Sequence, residues 1–339
     1  MDVFELTRAL VNVESVTLNE EAVGLALCEF LAPLVSAYGG RLERIEVEPR
    51  RFNVFAHWGD RLAVTLSTHL DTVPPFFASR EDETHIWGRG ACDTKGIIAA
   101  MIKAVEALLA AGESDFGLLF VVGEERNSAG AYRAAGTPRG SRYIINGEPT
   151  ENRLALASKG VLRYEVVASG KMAHSAYPEL GDSAINKLLD ALEAIRKIPL
   201  AVDPLLGPGT LNIGTLSGGH APNVIADEAR ADIMFRLVGD SAELKAALVR
   251  AAAGGVELRE VIEIPAVRLG SLDGFETTVV AFTTDIPAFG GQWGEPFLIG
   301  PGSIHVAHTL EERVPKKELL EAVQIYQRMV KELCKRAWK

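Results

Sequence analysis

Residues 63–75, AVTLSTHLDTVPP, decide how the chain is read. The apolar run over 63–68 reads as a buried strand, and it leads straight into His69 and Asp71. Strand side chains alternate with a period of two, so an imidazole and a carboxylate two residues apart point the same way. Such a pair can act together on one bound cation, which makes this stretch the seed of a metal site.

Working outward toward the N-terminus, residues 2–13 and 20–37 have helical apolar spacing. Thr17 and Glu20 have the capping-box spacing that would open the second helix. Residues 41–47 and 53–57 read as strands. On the other side a polar loop runs to Gly90, and from Lys95 onward Ile98, Met101, Ile102, Val105, Leu108 and Leu109 fall at helical spacing until Gly112. Residues 116–122 form a continuous apolar run, the pattern of a strand buried on both faces, and release Glu124 and Glu125. A short strand over 143–145 releases Glu148. Strands alternating with helices predict an α/β fold: an open, mostly parallel sheet with helices on both faces and ligands beyond the carboxyl ends of its strands.

From about Lys159 the texture changes. Strand 161–168, helix 182–197, strands 210–216 and 230–237, helix 242–253 and strand 258–264 follow the β-α-β-β-α-β order of a ferredoxin-like unit. The expected organisation is a catalytic domain of residues 1–157 and 271–339, with an inserted α+β lid or dimerisation domain over 158–270. The returning chain carries strands 277–283 and 296–299 and a last helix on Leu319, Leu320, Val323, Tyr326, Val330 and Leu333.

The whole chain, 339 residues at 47% hydrophobic content, exceeds the size at which one core usually stops growing. A net charge of −10 and a pI near 5.3 oppose binding to a phosphate backbone, so a small-molecule partner is expected and nucleic acid is not. Cys28, Cys92 and Cys334 are widely spaced and form neither a disulfide framework nor a thiolate zinc motif, which fits a reducing cytoplasm. No secretory leader or membrane-spanning run is expected.

A lone carboxylate after a strand is ordinarily a cap or a solvated loop residue. Here His69, Asp71, Asp93, Glu124, Glu125, Glu148 and His308 all follow predicted strands or loops at one sheet edge, where repulsion would accumulate without a cation. Imidazole and carboxylate donors without thiolate suit Zn, with Co or Mn as alternatives, and the donors suffice for two ions.

Six segments then carry a resemblance: STHLDTVP (67–74), GRGACDTKG (88–96), VVGEE (121–125), GEPT (147–150), GKMAH (170–174) and GPGSIHVAHTLEE (300–312). In this order they resemble the motifs of the dinuclear-zinc amidohydrolase and exopeptidase family. That family includes acetylornithine deacetylase, acetyl-lysine deacetylase, succinyl-diaminopimelate desuccinylase and carboxypeptidase G. The resemblance implies one metal on His69, Asp93 and Glu148 and a second on Asp93, Glu125 and His308, with Asp93 bridging. It implies that Asp71 hydrogen-bonds the free ring nitrogen of His69 and that Glu124 is the general base. His308 rather than His305 is implied as ligand because the family ligand precedes a glutamate by four residues, here Glu312. His174 is implied to cross a homodimer interface and stabilise the partner's oxyanion, and Asn223 and Arg236 to bind the substrate's carbonyl or carboxylate.

His57 and His85 lie outside any motif, His220 either lines the site or turns the chain, and Cys92 reads as a small packing residue. Departures from the family pattern at Lys159, Ala226 and Leu310-Glu311 touch no implied ligand, but Lys159 and residues 283–293 lie where substrate selectivity could be set. The expected activity is removal of a small acyl group, acetyl foremost, from an N-acyl amino acid such as acetylornithine or acetyl-lysine, in arginine or lysine biosynthesis. The alternatives are a dipeptidase or carboxypeptidase, a succinyl-diaminopimelate desuccinylase, and a binding protein that has lost its chemistry. The last is disfavoured by the complete ligand set with Glu124.

Overall fold

The computed structural model describes residues 1–252 and 254–338. The chain divides into two compact units. The first comprises Met1–Leu156, Leu269–Thr278 and Thr284–Lys339, and the second Ala157–Arg268 and Val279–Thr283.

The first unit begins with helices α1 (Val3–Val11) and α2 (Glu21–Tyr38), strands β1 (Arg41–Glu48), β2 (Arg51–Trp58) and β3 (Val64–His69), and helix α3 (Lys95–Ala110). Strand β4 (Phe116–Val121), helix α4 (Ala129–Ala135) and strands β5 (Tyr143–Asn146) and β6 (Leu154–Ser158) follow. Helix α4 has no counterpart in the sequence reading. Its seven residues, AGAYRAA, are too short and too rich in alanine to show an apolar period.

The second unit contains β7 (Gly160–Ser169), α5 (Ala184–Arg196), β8 (Thr210–Gly218), β9 (Glu228–Leu237), α6 (Ala242–Ala251) and β10 (Val256–Ile264). Its sheet runs β8-β9-β7-β10, antiparallel throughout, which is the strand order of a ferredoxin-like unit. The helix expected over 242–253 ends on Ala253, which lies outside the described residues, as does Lys339. Alternation along β9 is strict: Ala229, Ala231, Ile233, Phe235 and Leu237 are buried, while Asp232, Met234 and Arg236 are half-buried on the opposite face.

Back in the first unit, β11 (Glu295–Leu298) joins a nine-stranded sheet in which β1-β2-β4-β3-β5-β11-β6 are successive neighbours, and α7 (Lys316–Ala337) follows. The central strands β4, β3, β5 and β11 are parallel; β1 and β2 at one flank and β6 at the other pair antiparallel. The apolar run of β4 is continuous because it serves two cores. Phe116, Leu118 and Phe120 enter the cluster with α1, α2, α3 and α7, whereas Leu119 and Val121 enter the one with α4 and Trp293.

Two local expectations fail for one reason. Thr17 and Glu20 do not cap α2: Glu20 takes a bidentate pair with buried Arg51, at 2.6 and 2.8 Å, and Thr17 donates to Asp71. A charge-assisted fork outcompetes a neutral cap. The capping box forms instead at α1, between Asp2 and Glu5. Helix α2 is 18 residues long with mean hydropathy 1.4, enough by length and composition to cross a membrane, contrary to the reading of residues 20–37. Val23, Leu27 and Leu31 form a stripe buried in the core shared with Phe52 and Val54 of β2.

Candidate metal centre

Parallel pairing in register brings the acids together. His69, the last residue of β3, lies opposite Val121, the last of β4, and Ser67 lies opposite Asn146, the last of β5. The turns that follow therefore leave the sheet at one edge, carrying Glu124 and Glu125 from β4 and Glu148 from β5. Gly147 is needed before Glu148, since a β-carbon there would fall 2.4 Å from Ile97 on α3. Thr68 ties the edge together, donating to the Gly147 carbonyl at 2.8 Å and contacting the Thr94 hydroxyl at 2.9 Å. Thr94 in turn donates to the His69 carbonyl.

Two groups of potential ligands result: His69, Asp93 and Glu148, all buried, and Asp93, Glu125 and His308, in which the histidine is exposed. Asp93 belongs to both. Its Oδ1 lies 3.0 Å from His69 Nε2 and its Oδ2 3.2 Å from His308 Nε2, and His308 Nε2 lies 3.0 Å from Glu125. His308 sits at φ +62°, a left-handed conformation uncommon outside glycine.

Asp71 departs from the expected contact. His69 Nδ1 meets the main-chain carbonyl of Asp71 at 2.9 Å, whereas the Asp71 carboxylate stands 3.6 Å away, beyond a hydrogen bond. The carbonyl fixes a proton on Nδ1 and leaves the Nε2 lone pair of the neutral ring available to a cation on the Asp93 side. The carboxylate accepts the N–H groups of Gly123 and Glu124 at 3.0 Å, that of Glu125 at 3.2 Å, and the Thr17 hydroxyl. Asp71 thus aims His69 with its backbone and holds the Glu124–Glu125 turn with its side chain.

The donor set is short of positive charge. Burial and the surrounding carboxylates push Glu124 and Glu148 well above the ordinary carboxylate range, and burial also raises Glu125. Burial works against a charged His69, yet Asp71 and Asp93 beside it lift its pKa well above the usual imidazole value. Glu148 Oε1 is buried with no hydrogen-bond partner among the described residues. Orphaned oxygen, crowded acids and two imidazole nitrogens facing carboxylates are what divalent cations would satisfy, so the residues present fit a pair of metal ions.

Asp285 escaped the sequence reading. It is 1% exposed, Ser128 lies beside it, its Oδ1 has no partner among the described residues, and burial pushes its pKa up to about 7. No motif marks it, and only its place in residues 283–293 could have drawn notice. That segment is packed rather than open: Ile286, Ala288, Phe289 and Trp293 are buried, and Trp293 donates to the Ala134 carbonyl.

The second unit holds the remaining candidates. Ala173–His174 pairs with Val224–Ile225, and the Ser175 N–H reaches the Asn223 carbonyl, so His174 and Asn223 are neighbours. His174 is exposed, and its Nδ1 accepts the Ala176 N–H, which places the proton of a neutral ring on Nε2. Arg236 is half-buried and forms no ion pair among the described residues. Lys159 donates to the Pro208 carbonyl, and His220 pairs with Asp227 at 2.8 Å, which gives that histidine a loop-closing contact. In the first unit His57 is half-buried on β2, while His85 and Thr84 share a contact away from the metal groups. His305 is exposed. Cys92 is fully buried against Gly302, a packing residue whose thiol burial pushes up.

Residues 65–332 match the family described as peptidase family M20/M25/M40. A peptidase M20 domain-containing protein of Schizosaccharomyces pombe is 36% identical over 97% of this chain and 84% of its own. A "probable carboxypeptidase" of Aspergillus niger is 36% identical over 97% of this chain and 89% of its own. Among solved structures, a tripeptidase of Staphylococcus aureus shares the fold, with a TM-score of 0.82 over 98% of each chain at 21% identity.

Proposed function

The chain belongs to peptidase family M20/M25/M40, and from that premise we propose a two-metal amide hydrolase acting on small substrates with a free carboxylate next to the scissile bond. The observation that carries this reading is the sharing of Asp93 between two ligand groups, with Glu124 near His69, Glu148 and Glu125 and uncommitted among the described residues. Two cations on these groups, zinc foremost, would polarise the scissile carbonyl and acidify the attacking water. Glu124 suits the proton transfer because, among the described residues, its carboxylate has no hydrogen-bond or ion-pair partner to surrender. It takes the proton from water and returns it to the leaving amine. His174, with Nε2–H exposed, is the donor for the developing oxyanion, acting across a homodimer, and Asn223 assists it. Arg236, half-buried and unpaired, receives the substrate carboxylate.

The finer reading is an N-acyl-amino-acid deacylase that releases a small acyl group, acetyl foremost, from ornithine or lysine. It draws support from the GPGSIHVAHTLEE segment. Carboxypeptidase or dipeptidase action is the second reading, favoured by the printed description of the Aspergillus niger relative. A panel of acetylornithine, acetyl-lysine, succinyl-diaminopimelate and dipeptides on metal-reconstituted protein separates them: peptide turnover far above deacylation decides for the second. Glu124→Gln should lower kcat at least about 10²-fold with metal content unchanged. Retained activity in that variant would remove Glu124 from the mechanism.

A further inference from the structure

We infer that Glu312 is a positioning residue that sets the Asp93–Glu125–His308 half of the site by tying the loop of His308 to the loop of Asp93. The inference rests on the two-metal reading above and assigns a task to a side chain that touches neither ligand group's donor atoms.

Glu312 and Arg89 are each 1% exposed. One Glu312 oxygen, Oε1, accepts the backbone N–H groups of Gly90 at 2.8 Å and of Cys92 and Asp93 at 3.2 Å. Its other oxygen receives Arg89 Nη1, and its own backbone carbonyl accepts the Gly88 N–H at 3.1 Å. A single residue thus engages both main chain and side chain along residues 88–93, from more than 200 positions away. Three N–H groups converging on one oxygen form a concave anion cradle. Arg89 is held in turn by the Pro75 carbonyl and lies 5.1 Å over the Phe77 ring.

Among the described residues the loop of His308 has few ties to distant elements: Ser303 bridges Thr150 and accepts the Cys92 thiol, and His308 meets Glu125. Its remaining bonds are short-range: Val306 N–H to the Ser303 carbonyl, Thr309 hydroxyl to the Val306 carbonyl, and Glu311 N–H to the Thr309 hydroxyl. The segment is fixed upstream where the Gly302 N–H meets Glu318, and downstream at Glu312. His308, at φ +62°, hangs between these two points. Asp93 sits on the loop that Glu312 grips, so this carboxylate, beside the pairing of Arg313–Pro315 with His85–Trp87, helps set the separation of His308 from Asp93. His69 and Glu148 come from strand ends and are not gripped by it, so the first group shares only Asp93 with the loops that Glu312 ties.

Calorimetric titration of metal-free protein with Mn²⁺, read alongside Co²⁺ absorption spectra, tests this. In Glu312→Ala the second, weaker ion should lose at least about tenfold in affinity while the first stays within about threefold, as expected for partners that orient ligands. The double variant Arg89→Met/Glu312→Gln keeps an acceptor for the three N–H groups and leaves no buried charge unpaired, so it should regain most of the second ion's affinity. If Glu312→Ala does not fold, Arg89→Met/Glu312→Leu, which removes the acceptor and the buried charge together, carries the same comparison. Equal weakening of both ions, or an unchanged second ion in a folded variant that lacks the acceptor at 312, overturns the inference. A native chain that binds no pair of ions overturns the two-metal reading instead. In that event hydrogen exchange still reads the tie, because Glu312→Ala should deprotect residues 88–93 and 303–312 together and leave β3 and β5 unchanged.

Discussion

The two halves of the metal centre are built differently. His69 and Glu148 come from the ends of β3 and β5, central parallel strands whose side chains fill the core, and both are buried. Glu125 and His308 come from a turn and a loop, and the His308 side chain is 51% exposed. The first half inherits its geometry from the sheet. The second has to be held by added bonds: Asp71 on the Glu124–Glu125 turn and Glu312 on the loops. A site of this kind combines two ligands placed by strand ends with others, the shared Asp93 among them, whose positions other residues hold.

The largest expected effect follows from that contrast. His69→Ala should remove the buried ion and lower kcat/KM by about 10³-fold or more, since the carbonyl-polarising charge is lost with it. His308→Ala should release the other ion with a smaller loss. Graded chelation of the native protein should then proceed in two steps, the exposed half first. Metal analysis at each chelator concentration checks this, and simultaneous loss of both ions would erase the distinction between the halves.

The next effect tests whether the strand half is inseparable from the fold. Leu66 is fully buried in β3, three residues before His69. Leu66→Ala should destabilise the first unit by about 2–5 kcal/mol, read from denaturant midpoints. Metal affinity in the protein that remains folded should be nearly native. A large loss of affinity in folded protein would mean that the strand end is softer than its packing implies.

Much of this contrast was legible in the sequence, and the reason is physical. Runs that end in His69, Glu124 or Glu148 announce both a buried strand and what it presents, most plainly over 116–122, where no polar side chain interrupts the pattern. The ferredoxin-like order of β7 to β10 was legible from its breaks. What the sequence hid were choices among competing partners. Thr17 and Glu20 have capping-box spacing, but Asp71 and Arg51, both distant in the chain, claim their side chains. Asp71 stands two residues from His69, yet its carboxylate serves N–H groups more than 50 residues away. Asp285 and the Glu312–Arg89 pair carry no local signature, since their meaning lies in what the fold packs around them.

The smallest effect bears on how Asp71 holds the loop-side half. Its carboxylate accepts four donors, three from the backbone of the Glu124–Glu125 turn and one from the Thr17 hydroxyl at 2.8 Å. Thr17→Val keeps the side chain's shape and removes one donor, leaving the acceptor satisfied by the other three and no backbone group orphaned. Its cost should therefore sit near the low end for a hydrogen bond, about 0.5–1 kcal/mol, with kcat unchanged. Asp71→Ala differs in kind, because it strands three backbone N–H groups beneath the turn that presents Glu124 and Glu125. It should cost about 1–3 kcal/mol for each group left unsatisfied, and it should weaken the ion held by Glu125. Denaturation midpoints and metal titrations on the two variants measure the difference. If Thr17→Val disturbs metal binding as much as Asp71→Ala, the turn is held from the N-terminal segment rather than by the strand-end carboxylate, and the loop-side half has a different keeper.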